Sequence, residues 1–438
     1  MIKNSIILLS ISVACCLFFS TASAQQPLSL QQAVDIAIKN SLGVQVGKNN
    51  TRITGINNNY GVAGGLPSIT ASVTDQQQSI SLKQEYSNPA NNKESNSVGS
   101  NGLTAGVSAN ILITNGERVV TAKKRLATIE HQSYKQLNSR MQTVVVNVLL
   151  KYYDIVRQQS YAKVLQTSIE VSKQKLDIVI KQQDVGLANN ADLFQAQVDL
   201  TTQTQLLQAQ QLVVDQGKTD LLYLLTLNPD SAITVQDTIV VEKGLQLDTV
   251  LNNIATHPDI AVLQDQIAIN QFLVKEVTAQ RYPSVNLSTG YNLSRSQSAA
   301  GFTLLNQQRG PYAGIAVSVP IYNGGVYKRQ QQVAGINVAN ANLQKDTLVN
   351  AYTANAIKSW QAYQSNLQQL ETAQQNYALS LKLLQLVLQK FQLRQATIVD
   401  VKNAQQSFEN AANLMVNISY AGKAAEIQLK RYANMIPF

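Results

Sequence analysis

The sequence predicts a mainly α-helical protein with transmembrane β-strands, built from a duplicated unit of one β-hairpin and one long coiled-coil helical hairpin. Three observations predict it. The chain matches itself at a nearly constant offset. Within each copy the hydrophobic period changes from two residues to a heptad-like spacing. An export signal opens the chain, and no later segment has the ~18 apolar residues of a membrane helix.

The opening, MIKNSIILLSISVACCLFFSTASAQQP, has a positive Lys3, an apolar run from Ile6 to Phe19 and a small-residue site at Ala22-Ser23-Ala24. That pattern is a secretory signal peptide, residues 1–24, cut after Ala24. Neither Cys15 nor Cys16 has a leucine three residues before it, which argues against lipidation. They are the chain's only cysteines, so the mature protein has no disulfide framework or cysteine-ligated metal. An exported chain without a membrane helix either stays soluble or enters an outer membrane by β-strands.

Hydrophobic residues make up 45% of the chain, so it is not a disordered polymer. Charged residues make up only 14%, against ~25% in typical soluble domains. The net charge of +9 is spread along the chain, without the clustered lysines, arginines and interleaved aromatics of a nucleic-acid face.

The repeat sets the domain plan. Asn115-Gly116, Asn147, Tyr152, Asp192 and Gln197 match Asn323-Gly324, Asn355, Trp360, Asp400 and Gln405, all 208 residues on. Before the strands the offset is 216, as in Val34 with Val250 and Pro67-Ser68 with Pro283-Ser284. One loop between Ser68 and Asn115 is therefore eight residues longer in the first copy. The first repeat covers 25–227, with strands about 67–113 and long helices about 116–227. A linker follows at 228–250. The second repeat covers 251–433, with strands about 283–322 and helices about 324–433, and 434–438 is a tail.

PSITASVTDQ and LTAGVSANILI alternate apolar with small or polar residues, as do PSVNLSTGYNL and PYAGIAVSVPIY in the second copy. Each run is about the 9–11 residues of a tilted membrane strand. Tyr282, Tyr291, Tyr312 and Tyr322 fall at or near run ends, where interfacial aromatic girdles sit. Alternation alone fits a soluble hairpin with one wet face equally well.

After Gly116 and again after Gly324, ~66 residues run without proline. Apolar residues recur in heptad fashion, as at Val164, Val171 and Ile178, or Leu381, Leu384 and Leu388. A helix of that length is roughly 100 Å long and needs coiled-coil partners. Breaks at Gly186 and at Arg394 to Ala396 precede return helices. Four strands cannot close a barrel, since single-chain barrels start at about 8. Membrane-spanning strands would therefore require a dimer, trimer or tetramer.

Here the chain resembles the TolC family of outer-membrane efflux proteins. LSLQQAVDIAIKNSLGV resembles that family's opening helix, VPIYNGG its strand-to-helix junction, and VGLANNADLFQAQ and TIVDV its two helical tips. The resemblance spans nearly the whole mature chain. It implies a homotrimer, with a 12-stranded β-barrel in outer-membrane lipid on a 12-helix α-barrel in the periplasm of a Gram-negative bacterium. It also implies a periplasmic adaptor and an inner-membrane pump of the RND, ABC or MFS type. The expected function is a passive exit duct of an efflux or type I secretion system, and the alternative is an exported coiled-coil scaffold that does not conduct.

Asp192 and Asp400 follow the helix breaks, where an acid in a first turn complements the helix dipole by ~0.3–1 kcal/mol. The resemblance adds that Asp400 matches a pore-constriction aspartate, which a trimer would turn into a ring of three. The family's second acid is Asn403 here. The tyrosine and arginine of its closing network become Phe391 and Ala396, Asp192 matches that network's acid, and Arg394 is a displaced candidate arginine. No catalytic, metal or cofactor site is expected. The two histidines, His131 and His257, lie on different elements, and no GxSxG, GxxxxGK[ST] or HExxH occurs.

Overall fold

The structure is a computed structural model that describes residues 26–299 and 303–436. The signal peptide lies outside the described residues. Among the described residues six strands are present: β1 (Gln26–Pro27), β2 (Ser68–Gln84), β3 (Lys93–Thr114), β4 (Ile233–Thr234), β5 (Ser284–Ser298) and β6 (Leu305–Ser318). Eight α-helices accompany them: α1 (Leu30–Asn40), α2 (Leu42–Asn57), α3 (Arg118–Asp184), α4 (Asn190–Leu224), α5 (Leu247–Asn253), α6 (Pro258–Ala279), α7 (Val326–Gln392) and α8 (Ile398–Tyr432).

The duplication is written in the backbone. Helices α3 and α7 are 67 residues each, and α4 and α8 are 35 each, all starting 208 residues apart. Left-handed residues recur at the same offset: Gly116 with Gly324, Glu117 with Gly325, Gly186 with Arg394 and Thr226 with Asn434. Helix ends thus keep their geometry even where glycine has been replaced. The linker is not featureless, because β4 pairs in parallel with β1 and α5 already begins at Leu247. These short pieces satisfy backbone groups that a bare linker would leave to water.

The chain forms two compact units that do not follow the repeats. The first takes the chain up to Lys48, Leu137–Ile260 and the chain from Leu348, and the second takes Asn49–Gln136 and Ala261–Thr347. The four clusters of buried apolar side chains among the described residues all lie in the first unit. There Tyr152, Ile155, Leu221 and Leu225 pack under Val34, and their respective second-copy counterparts Trp360, Tyr363, Leu429 and Ala433 pack with Val250. The buried Tyr152 hydroxyl donates to the Leu28 carbonyl at 2.9 Å and also bonds Asp237. Burial first, then that carboxylate, pushes its pKa well above the ordinary tyrosine value.

The second unit holds one antiparallel sheet of order β2-β3-β5-β6. Its register sorts side chains onto two faces, because alternate residues point oppositely. One face carries the rows Val73–Ala105–Leu293, Ala71–Val107–Tyr291–Pro311 and Ile69–Ala109–Thr289–Ala313, continued by Ile111–Leu287–Ile315 and Val285–Val317. The other carries Thr70–Ser108–Gly290–Tyr312, Ser72–Gly106–Asn292–Gly310 and Asn110–Ser288–Gly314. Arg309 stands opposite Leu293 at the outer end of this face and the next row is Asp75–Leu103–Arg295, so the apolar side runs from Ala105 to Ile113, about 26 Å of strand or about 20 Å along a membrane normal at a ~40° tilt.

The strands, at 14 to 22 residues, are longer than the expected bilayer length. Polar residues simply carry the ladder onward, as Gln76–Ile80 does against Val98–Gly102. The eight extra residues of the first copy lengthen this hairpin, whose connection holds a 3-10 turn at Pro89–Asn91. In the second copy β6 ends at Ser318, short of the expected 322.

Candidate functional site at the helical tips

In the first unit, α3 and α7 end in the same device. Gly186 donates its N–H to the Gln183 carbonyl and Leu187 to Gln182, while Arg394 donates to Phe391 and Gln395 to Lys390. This is the crossed pattern that closes a helix with a left-handed residue. The left-handed residue, two positions past the helix end, is Gly186 after α3 but Arg394, at φ +63°, after α7. A side chain there costs roughly 1 kcal/mol or more over glycine. Replacing Arg394 by glycine is therefore expected to stabilise the protein by about 1 kcal/mol, and Gly186→Ala to destabilise it by a similar amount, read in urea denaturation of the purified protein. Arg394 is exposed and makes no ion pair among the described residues.

The return helices explain the paired acids. Asn189 caps α4, accepting from the Asp192 N–H at 2.9 Å, and the Asp192 carboxylate accepts from the Asn189 N–H. Thr397 caps α8 likewise. Its hydroxyl accepts from the Asp400 N–H at 3.2 Å, and the Asp400 carboxylate accepts from the Thr397 N–H at 2.8 Å and the hydroxyl at 2.7 Å. Each is a capping box, which satisfies two orphan donors at once. The Thr397 backbone and hydroxyl bonds hold the Asp400 carboxyl below its ordinary value, although it is fully solvated. Asn403, one turn on, is exposed.

Phe391 is buried with Val179, Ala196 and Val401, so all four long helices meet in one apolar cluster beside the tips. Where a hydroxyl is missing, a ring fills the core.

A polar tie that sequence reading missed lies next to this cluster. Lys175 on α3 is wholly buried and donates to Asp199 on α4 at 2.5 Å. Gln195 donates to the other Asp199 oxygen at 2.7 Å, and Lys402 of α8 reaches that oxygen at 3.3 Å. Burial pushes the Asp199 pKa up, but Lys175, Gln195 and Lys402 together bring it below the ordinary value. Gln405 of α8 donates to the Ser168 carbonyl at 3.2 Å and to Ser172 at 3.1 Å. The clue was available, because Lys175 occupies the apolar stripe four residues after Val171 and three before Ile178.

The tyrosines separate. Tyr282 stands at the strand entry, packed so tightly on Gly116 that a Cβ there would lie 2.6 Å from its own Cβ. Tyr291 and Tyr312 are mid-strand rather than terminal, a correction to the expected placement. Tyr291 keeps the apolar face, but Tyr312 pairs with Gly290 on the polar face and lays its ring over that glycine. Tyr322 lies beyond β6, exposed. The histidines are structural: His131 meets Asp265 at 3.1 Å, and His257 accepts the Asp259 N–H at 3.2 Å. Among the described residues no helix is long and apolar enough to cross a membrane, and no group of three or more His, Cys, Asp and Glu is placed to hold a metal.

The site thus combines a four-stranded sheet of one apolar and one polar face with duplicated 67-residue helices that end in capped tips. Residues 252–435 match the family model for outer membrane efflux proteins. Outer membrane protein TolC of Escherichia coli (strain K12) is 21% identical over 369 residues, covering 80% of this chain and 73% of that one. The fold is also that of the Campylobacter jejuni CmeC outer membrane channel, with TM-score 0.74, 16% identity, and 92% and 85% of the two chains covered. The outer-membrane channel OprN gives a TM-score of 0.76 at 14% identity over 92% and 89%. The chain therefore resembles outer membrane efflux proteins in sequence and has the fold of the outer-membrane channels.

Proposed function

We propose that the chain works as a homotrimer, a passive exit duct for a periplasmic adaptor and an inner-membrane pump in a tripartite efflux or type I secretion system. The observation that carries this is the sheet: an exposed apolar face with outer edges, β2 and β6, that no strand among the described residues covers. Such edges are untenable in lipid, and three copies supply twelve strands, enough to close a barrel. The same copying makes twelve helical columns, whose tips would be held closed at rest by ties such as Asp199 with Lys402. Energy comes from the pump, and the protein does no chemistry.

At the tips, Asp400 would form a ring of three acids that favours cations, with Asp192, Asn403 and Arg394 nearby and Phe391 as packing support. Tyr282, Tyr291 and Tyr322 are proposed to lie along the membrane face and its borders.

Single-channel recording in planar bilayers tests this. Wild type is expected to give small, cation-preferring currents. In Asp400→Asn that preference should fall severalfold. Because the Asp400 carboxyl is held below its ordinary value, its charge persists as pH falls, so the preference should survive at pH 5 and vanish only below about pH 4. Unchanged selectivity in the variant leaves Asp400 a capping residue alone. A verified membrane-inserted oligomer that never conducts would favour the scaffold reading.

A further inference from the structure

Around the periplasmic ends of the strands, charge is lopsided. Segments 115–125, 275–283 and 319–329 carry eight basic residues and two acidic ones. Arg125 is spent on Glu276 at 2.6 Å, and Lys123 on Asn58 and the Tyr60 ring. The other six, Arg118, Lys124, Lys275, Arg281, Lys328 and Arg329, are exposed, although Arg329 also donates to the Gly324 carbonyl at 2.7 Å and Lys275 lies over the Phe272 ring, against a single exposed acid, Glu117. All lie within eleven residues of a strand end. The outer halves of the hairpins, 76–102 and 294–310, are nearly balanced, with four bases and two acids, and Lys83 pairs with Glu85.

Local helix energetics do not explain the placement. Arg118 opens α3 and Lys328 lies in the first turn of α7, and neither first turn holds an acid. Cations there oppose the helix dipole, whereas the tip helices α4 and α8 place acids in their first turns. The unfavourable arrangement recurs in both copies, directly beside the apolar band. Exposed cations next to a bilayer surface attract anionic headgroups, with an energy that falls off within a Debye length.

We propose that this basic collar docks anionic phospholipid headgroups of the periplasmic leaflet, fixing the depth at which the strands sit. The proposal rests on the membrane placement of the sheet. Its partner is a phosphodiester lipid rather than free phosphate, because the collar adjoins the acyl-facing band. In a trimer it becomes eighteen exposed cations around one rim.

The test uses the purified, delipidated full chain in a neutral detergent. Thermal unfolding is followed with added phosphatidylglycerol or phosphatidylcholine, for wild type and for Arg118→Gln/Lys124→Gln/Arg281→Gln/Lys328→Gln. Phosphatidylglycerol is expected to raise the wild-type Tm well above the phosphatidylcholine value at low salt. The increment should shrink at high salt and be mostly lost in the variant. Equal shifts with both lipids, a variant that keeps the increment, or the same shift from inorganic phosphate would each overturn the proposal. Conductance in phosphatidylcholine bilayers separates the two readings. If wild type and variant conduct alike but phosphatidylglycerol has no special effect, only the docking surface fails. If neither conducts, the duct itself fails.

Discussion

Val107→Lys is expected to abolish assembly of the protein in the outer membrane, while Ser108→Lys, one residue away, leaves it largely intact. Val107 lies mid-way along the apolar side of β3, flanked by Ala71 and Tyr291, and half of its surface is exposed in the single chain. A lysine at the lipid midplane costs about 2–4 kcal/mol, and a trimer carries it three times, so about 6–12 kcal/mol in all. Ser108 faces the other way, beside Thr70, whose hydroxyl lies 3.0 Å from its own. There a lysine extends into water. The measurement is the yield of heat-resistant oligomer in outer-membrane fractions. Equal yields would mean that the apolar face does not meet lipid, and the soluble-hairpin reading would return.

The second large effect concerns Asp199. Asp199→Ala should cost about 3–5 kcal/mol per chain, because it leaves Lys175 charged and without its carboxylate in a site where its side chain is 0% exposed. It also releases Lys402, the contact from α8 to α4. Urea denaturation reads the first consequence, and a rise in single-channel conductance or open time reads the second. Lys175→Leu/Asp199→Ser provides the control, since the second copy has Leu383 and Ser407 at the matching positions. Removing both charges should recover most of the stability but not the closed tip. If the double variant is as unstable as Asp199→Ala, buried charge is not the cause. The sign with pH follows from the lowered Asp199 pKa. Its stabilising effect is complete above the unfolded carboxylate value of about 3.9 and is lost as pH falls below that.

The capping acids were legible from the start. Both positions follow a helix break and precede an apolar run, and S/T/N-x-x-D is written out as Asn189 to Asp192 and Thr397 to Asp400. Capping is local, settled within four residues. The Lys175–Asp199–Lys402 tie was not legible as a tie, because its members come from three helices and meet only when α8 packs against the first hairpin. A polar residue in the stripe hinted at something, but not at which carboxylate would answer it.

Tyr312 shows the same limit at shorter range. Alternation in PYAGIAVSVPIY separates Tyr312 from Ile315 and Val317 by parity, yet its aromatic nature suggested an interfacial role. Register decided otherwise, setting Tyr312 across from Gly290, whose missing side chain makes room for the ring. Strand ends were also misjudged, since ladder pairing continues into polar sequence for as long as a partner strand runs alongside.

What the sequence by itself determined is everything carried by period and repetition: two copies, strands before long helices, breaks at residues 186 and 394, and an acid at the start of each return helix. These depend on interactions within a few residues, or on identity at a fixed offset, and both survive in one dimension. What only the tertiary structure decided is which polar groups share a buried site and which face a tyrosine joins. Those outcomes depend on packing and pairing between different helices and strands, and no local pattern encodes which partner will be there.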